Sequence, residues 1–317
     1  MHFLIVDIHK RLGDTGKPQY VVQRLSEELK KRDIPCDLCS YQDLTLSLGS
    51  GTYTIHVLGT PLEAYSHIIM RGHRTPYEYM LKQYVVQYAE SHGIVVQNAE
   101  FIKKWLHYNK ILQMQYCSAA GLPYPDSAYC IDGRYWEKKE LLGRLGFPII
   151  FKHIEGEYRI EVIDGKEKFK KNVFLAHSVD ELKELSNTYD QIEDNFTTKP
   201  SRFFLQKYID SGVDYRAIML GGKYVSGWKR EATKSFLTVS SGEYSLYENP
   251  DPGLKELAEK TAAALSADYC AIDMIYSNET PYILEVNMNP GFKAFETKVK
   301  GVTIDMASAI IDQILTK

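Results

Sequence analysis

Cysteine is scarce and odd in number: Cys36, Cys39, Cys117, Cys130 and Cys270 are scattered over 317 positions. That argues against a disulfide framework, which needs paired cysteines in a short, dense scaffold. Cys36 and Cys39 have C-x-x-C spacing, but they stand in a stretch that reads as a strand, where residues three apart face opposite ways. Nothing downstream offers a second metal half-site, so both are read as core or surface residues. Long apolar runs are also missing, and no stretch approaches the roughly 18 residues a membrane span needs. No excess of one charge exists: 38 basic and 41 acidic side chains leave a net charge of −3. No global field is therefore available to hold nucleic acid or an anionic membrane. The first seven residues lack a basic segment and a small-residue cleavage site, and the expected location is the cytoplasm. Gly13, Gly16 and Lys17 are too closely spaced for a phosphate-binding P-loop, and no Ser or Thr follows the lysine.

What is present describes a folded chain, with 44% hydrophobic and 25% charged residues. Its length exceeds what one core serves, so two or three modules are expected. Over residues 1–105, strands near 3–8, 35–40, 54–58, 67–71 and 94–97 alternate with helices near 19–32 and 76–91, which predicts an α/β module with a doubly wound, mostly parallel sheet. From about residue 126 the pattern changes to α+β. Strands near 148–152, 203–209, 214–220, 223–230, 269–276 and 281–287 include tight hairpins, and helices fall near 134–145, 178–189 and 253–266. Gly221-Gly222 supplies the positive φ angles of a two-residue hairpin turn. The predicted modules are 1–105, 106–202 and 203–317, with mixed and antiparallel sheets in the last two. Segments 153–172 and 232–252 are read as mobile loops.

The sharpest constellation lies in the last hairpin. A turn centred on Glu279 sets Asp273 directly across from Glu285, and Asn287, two residues on, projects from the same face. Opposed carboxylates among apolar neighbours need a cation or a proton between them. Hard oxygen ligands favour Mg²⁺ or Mn²⁺ over zinc. A solvated acidic hairpin face, or a single carboxyl of raised pKa, is the alternative.

At Glu285-Val286-Asn287-Met288-Asn289-Pro290-Gly291-Phe292 the chain resembles the metal-site signature of ATP-grasp ligases, and is most similar to the RimK-like branch of carboxylate–amine ligases. The resemblance runs from Asn109-Lys110 through Gly146–Lys152, Leu205–Ile209, Asp214-Tyr215-Arg216 and Trp228-Lys229-Arg230. It implies that Lys110 and Lys152 contact nucleotide phosphates and that Gln206, Lys207, Tyr208 and Ile209 form the adenine-binding segment. Asp214 or Asp210 would take the ribose hydroxyls. Arg216 and Arg230 would face the γ-phosphate and the acyl-phosphate, where a guanidinium fork suits the chemistry. Asp273, Glu285 and Asn287 would hold Mg²⁺, with two ions expected and Mn²⁺ able to substitute. On an ideal ladder centred on the two glycines, Asp214 faces Lys229, and Arg216 and Arg230 fall on opposite faces. Arg230 must then lie past the ladder's end or beyond a bulge.

Departures from the family pattern are Asn109 and Lys207 where acids are usual, a loop after Lys152 with one glycine and three acids, and an unusual segment at 236–242. The reaction implied joins a carboxylate to an amine through an acyl-phosphate, releasing ADP and phosphate, with residues 153–172 as the lid. The substrates implied are ATP, a carboxylate and an amine on an amino acid, peptide or protein, and dimers and tetramers are common among such relatives. Alternatives are a peptide crosslinking enzyme forming esters or amides, an ATP-grasp kinase, and a non-catalytic nucleotide-binding protein. Arg71, His73 and Arg74, after a predicted strand, are a candidate anion site in the first module. The 23 tyrosines could line a peptide groove, though ordinary packing accounts for most such residues.

Overall fold

Phe3–Asp7 is buried along its whole length, as a strand covered on both faces must be. It sits inside a parallel sheet in a computed structural model of the chain, which describes all residues except 8–18, 73–75, 106–108, 155–159, 164–165, 170–171, 191–199 and 233–241. The first module contains β1 (Phe3–Asp7), α1 (Tyr20–Lys31), β2 (Cys36–Ser40), β3 (Leu44–Gly49), β4 (Thr52–Val57), β5 (Thr60–Pro61), β6 (His67–Met70), α2 (Pro76–Ser91), β7 (Val95–Val96) and α3 (Ala99–Lys104). The parallel sheet runs β2-β1-β6-β7. The strand expected near 54–58 is not part of it. That segment is β4, which pairs antiparallel with β3 and β5 in a separate sheet. A tight turn with Gly51 at φ +75° folds β3 straight back onto β4, leaving no room for the crossover a parallel pair requires.

The middle of the chain holds α4 (Lys110–Ala119), β8 (Ser127–Ala128), α5 (Lys139–Leu145), β9 (Ile149–His153), β10 (Ile160–Ile163), β11 (Lys166–Phe169), β12 (Val173–Ala176), α6 (Val179–Leu185) and β13 (Phe203–Lys207). An antiparallel sheet runs β12-β9-β13-β8. The segment 153–172, expected to be a loop, contains the antiparallel hairpin β10–β11; the turn and the approaches to this hairpin lie outside the described residues. The helix expected over 134–145 divides into a 3₁₀ turn at Tyr135–Glu137 and α5.

The last part holds β14 (Val213–Leu220), β15 (Lys223–Ala232), β16 (Gly242–Leu246), α7 (Pro252–Leu265), β17 (Tyr269–Ser277), β18 (Thr280–Asn287), α8 (Lys293–Lys298) and α9 (Met306–Leu315). Its sheet is antiparallel throughout, in the order β16-β15-β14-β17-β18. β16 falls within the expected loop 232–252, of which residues 233–241 lie outside the described residues. Helix α7 starts where Asp251 accepts a hydrogen bond from the Leu254 N–H and Pro252 takes the first helical position, a pairing that satisfies one orphan donor and removes another.

Three apolar clusters hold these layers. One joins the first module to the last sheet through Ile68, Val96, Ala217, Ile272, Val286 and Leu257. A second also spans both, from Phe3 and Leu25 to Trp228, Phe295 and Ile310. The third, around Phe151, Phe174, Phe203, Tyr135 and Leu182, belongs to the middle sheet alone. Among the described residues no helix is long and apolar enough to cross a membrane. Cys39 is buried and Cys36 half-buried. Burial first, then nearby Asp37, pushes the Cys36 thiol up to about 12, and burial does the same at Cys39. Thiols held protonated at neutral pH are neither nucleophiles nor ready metal ligands.

Candidate active site

Both hairpins of the last sheet change register by one residue on the way from turn to site. In β14–β15 the turn is as expected: Leu220 pairs with Lys223 across Gly221 and Gly222, at φ +57° and +75°. Met219 pairs with Tyr224, but Ile218 then pairs with Ser226, so Val225 is the extra residue of a bulge. Beyond it Asp214 lies opposite Arg230, not opposite Lys229, and Arg216 lies opposite Trp228. The expected Asp214–Lys229 pair is thus absent; Lys229 reaches Glu231 at 2.7 Å instead. The bulge brings Arg216 and Arg230 onto one face.

The β17–β18 hairpin turns on Asn278 and Glu279, with Ser277 opposite Thr280, rather than on Glu279 alone. Asn278 has φ +55°, a conformation asparagine tolerates better than most residues. Met274 pairs with Ile283, and a second bulge at Leu284 restores Asp273 to its place opposite Glu285. Ile283 and Val286, three apart, both enter the core, which strict alternation would not allow.

Trp228, Arg216, Asp273 and Glu285 therefore form one row across four strands. Arg216 grips Asp273 with both arms of its fork, Nε to Oδ1 and Nη2 to Oδ2, each at 2.5 Å. Its guanidinium carbon lies 5.3 Å from the centre of the Trp228 ring, and Phe295 stacks on that ring at 5.6 Å. One row away Arg230 engages Asp214 in the same way, with Nε to Oδ1 at 3.0 Å and a second contact from Nη2 to Oδ2.

Glu285 is held from the middle of the chain. Lys110 Nζ lies 3.0 Å from its Oε1 and Lys152 Nζ 3.7 Å from its Oε2. Lys110 opens α4, whose first turn is capped by Asn109 accepting from the Leu112 N–H at 3.0 Å. Lys152 lies on β9, between Val173 and Phe204, and also donates to the Leu284 carbonyl at 3.4 Å. β18 is an edge strand, and its outer backbone groups are met one by one. Ile283 N–H donates to Pro123 O at 2.9 Å, and Gln113 Nε2 donates to Val286 O at 2.8 Å. Tyr124 in turn donates its hydroxyl to Gln113 Oε1 at 2.6 Å. Gln113 was not foreseen; its spacing of three from Lys110 on a helix, which sets both on one face, is the signal that could have found it.

Burial dominates the electrostatics, and the pairs oppose it. Burial pushes the Glu285 carboxyl upward, but the Lys110 and Lys152 ammoniums outweigh that and hold it at about 2. Lys152 is pulled below its ordinary value by burial, with Glu285 acting against the shift. Burial raises the Asp214 carboxyl, and Arg230 only partly offsets it. Burial would lower Arg216, yet Asp273 keeps its guanidinium above the ordinary range.

Among the described residues no three His, Cys, Asp or Glu side chains stand together as a metal cluster. A three-donor set on this face therefore needs the Asn287 amide. Asp273, Glu285 and Asn287 are all hard oxygen donors, which fit Mg²⁺ or Mn²⁺. Their oxygens are engaged meanwhile by Arg216, by the two lysines, and by the Asn289 N–H, which donates to Asn287 Oδ1 at 2.9 Å.

The segment Gln206–Ile209 covers the end of β13 and the start of the connection to β14. Gln206 is buried, and its Nε2 donates to Ser127 Oγ at 3.1 Å. The Lys207 side chain is exposed, and its N–H donates to Asp126 O at 2.7 Å. Asp210 is exposed and accepts from the Tyr208 hydroxyl at 3.3 Å. Arg71 is buried beside the turn that follows β18, but His73, Arg74, the acids Glu155 and Glu157, Arg159, and the stretches 13–18 and 236–241 lie outside the described residues.

Residues 108–314 match the model of the RimK-like ATP-grasp domain. A protein named probable alpha-L-glutamate ligase, from a Marinomonas species, is 23% identical over 328 residues, spanning 99% of this chain and 95% of its own. The ATP-grasp ligase PsnB, solved with a phosphomimetic variant of a minimal precursor, Mg and ADP, superposes with a TM-score of 0.68 at 17% identity, over 99% of this chain and 97% of that one. D-alanine–D-alanine ligase from Bacillus anthracis, solved with ATP, gives 0.66 at 17% identity, over 99% and 96%. A site assembled from the middle and last sheets, a matching domain over most of the chain and shared architecture along its whole length agree: the chain belongs to the RimK-like ATP-grasp ligase family.

Proposed function

We propose that the chain is an ADP-forming carboxylate–amine ligase that works through an acyl-phosphate. The observation that carries this reading is Glu285 held jointly by Lys110 and Lys152, one row end of a face where Arg216 and Arg230 are already in place. A carboxylate cannot expel oxide to an amine in water. Phosphorylation of the carboxylate by the γ-phosphate of ATP makes phosphate the leaving group, and the amine then attacks the carbonyl carbon. Lys110 and Lys152 would turn from Glu285 to the phosphates, and Arg216 and Arg230 would steady the transferring phosphoryl group and the acyl-phosphate. Mg²⁺ held by Asp273, Glu285 and Asn287, as two ions or with Mn²⁺ in its place, would neutralise phosphate charge. Because the Lys207 N–H is engaged by Asp126, adenine recognition falls to the other backbone groups of Gln206, Lys207, Tyr208 and Ile209. Asp214, bound to Arg230, is better placed to orient that arginine than to take ribose, which leaves Asp210 for the sugar. Of the three modules proposed, 1–105, 106–202 and 203–317, the last two supply the site residues named here, and β13, at the head of the third, completes the sheet of the second. All five cysteines are unpaired, which suits a reducing compartment, and a cytoplasmic location is proposed.

The test is incubation with ATP, Mg²⁺, hydroxylamine and pooled amino acids and short peptides, scoring ADP, orthophosphate and hydroxamate together. Hydroxylamine traps an acyl-phosphate whatever the natural amine is. ADP with phosphate and hydroxamate is expected, and Glu285→Ala should abolish all three. ADP without phosphate or hydroxamate would show a kinase, and near-normal turnover by Glu285→Ala would overturn the metal-site reading.

A further inference from the structure

Arg216 is held in two different ways at once. Asp273 grips its fork, with Nε and Nη2 each 2.5 Å from a carboxylate oxygen. Its guanidinium also lies over the Trp228 ring, Cζ 5.3 Å from the ring centre. Trp228 is the residue paired with Arg216 across β14 and β15, so the two side chains leave the same face of the sheet. The two holds differ in what they consume. The ion pair occupies N–H donors of the fork, whereas an indole attracts the charge through its π-electrons and leaves those donors free for an oxygen.

The indole is itself fixed by packing. Trp228 is 6% exposed. It stacks on Phe295, with ring centres 5.6 Å apart and planes 23° apart, and Tyr244 of β16 lies 6.4 Å away. Phe295 is fully buried and belongs to α8, the helix that follows the turn after β18. The Arg216 side chain, by contrast, is 30% exposed, so part of it stays open to an incoming group.

In the ligase reading Asp273 has two duties, as a metal ligand and as the partner of Arg216. A carboxylate that ligates a cation has less charge to offer an arginine, and the fork is released. Two other acids act on Arg216, Glu285 and Asp214. Glu285 belongs to the same ligand set, and Asp214 is bound to Arg230. An arginine with no remaining hold regains its rotamers at the moment when it must be aimed. Trp228 supplies the hold that a cation cannot compete for.

We propose that Trp228 is a positioning residue for the reaction: it keeps the Arg216 guanidinium in the row while its N–H donors pass from Asp273 to the phosphoryl group. The proposal rests on the ligase reading above.

The experiment replaces Trp228 alone by tryptophans carrying one, two and three ring fluorines. Fluorine draws electron density from the π-face and leaves the shape of the ring nearly unchanged, so the hold on a cation weakens stepwise while packing is kept. In the hydroxylamine assay kcat should fall with each fluorine, about three- to thirtyfold in all, the range expected of one cation–π contact. KM for ATP should change little, and thermal melting should stay at the wild-type temperature. A flat series would make Trp228 a packing residue and overturn the proposal. A second measurement needs neither nucleotide nor metal. Fluorine NMR of the singly fluorinated protein reports what lies over the ring. Arg216→Met should move the resonance, and Asp273→Ala should leave it near its original position, because the indole holds the arginine unaided. A resonance that moves as far in Asp273→Ala as in Arg216→Met would show that the arginine leaves with its carboxylate, which also overturns the proposal. A wild type that yields neither ADP nor hydroxamate would defeat the ligase reading instead, and the fluorine resonances would still decide whether Trp228 holds Arg216.

Discussion

Asp190 illustrates what burial does to a carboxyl with only partial help. It is 8% exposed, accepts from the Arg202 N–H at 2.8 Å and takes the Ser201 hydroxyl. Burial still pushes it up from 3.8 to about 6, with Ser201 opposing. The folded chain therefore holds a proton that the unfolded chain has released between about pH 4 and 6. Stability should fall as pH rises through that window and level off above it, by at most about 3 kcal/mol. Urea unfolding from pH 4 to 7 would read the slope against other groups, and Asp190→Asn should remove this residue's share. Glu285 shows the reverse sign: its carboxyl, held at about 2 by the lysines, contributes stability that is complete above its ordinary value and lost only as pH falls toward 2. Nothing in the sequence marked Asp190, because its burial arises from a packing of the middle module that no local pattern encodes. Lys110, Lys152, Asp273 and Glu285 were legible because their residue types and order are those of a known family, and the structure brings these four together.

Bulges decide how the two hairpins present their polar residues. Bulges near functional sites commonly re-aim side chains, and here one extra residue in each second strand sets the register. The apolar runs Tyr282-Ile283-Leu284 and Tyr224-Val225 carry no periodic sign of the added residue, so the sequence could not locate it. At β17–β18 the turn centre and the missing bulge were errors of opposite sense, and Asp273 still met Glu285. At β14–β15 the turn was right and the far pairing was not. Gly227 is what lets these strands close. A Cβ there would lie 2.4 Å from the Arg216 carbonyl oxygen and 2.7 Å from the Tyr224 hydroxyl. Gly227→Ala should destabilise the protein by about 1–3 kcal/mol through overpacking, read as a lower urea midpoint. Because the obstruction lies on the backbone of Arg216, activity should fall further than stability alone accounts for.

Apolar packing groups the described residues into two bodies that cut across the three proposed modules. The first module and the last sheet share two continuous apolar clusters, and the middle sheet keeps its own. Helix α4 goes with the larger body, since Cys117 and Leu122 lie in the shared cluster. Chain crosses between the bodies at residues 123–126 and 208–212, and Gly212 sits at φ +67° in the second crossing. A middle module with a separate core can turn about these crossings without unpacking the rest. Mg²⁺ with a nonhydrolysable ATP analogue should lower the radius of gyration in small-angle scattering, and an unchanged radius would argue for a rigid site. The α/β and α+β character of the chain was plain from strand and helix alternation. The division into two bodies was not, because it depends on which side chains meet across distant segments.

Among the described residues, each acid named on the reacting face already has a basic partner: Asp273 has Arg216, Asp214 has Arg230, and Glu285 has two lysines. For the ligase proposed, a lone cation would have to evict lysine ammoniums that then stand bare, and a lone nucleotide would leave carboxylates stripped of their counterions. Only the two arriving as one complex can exchange all partners at once. Rest and readiness thus become distinct states, and a cell's swings in free magnesium would pass the idle protein by until nucleotide came with the ion.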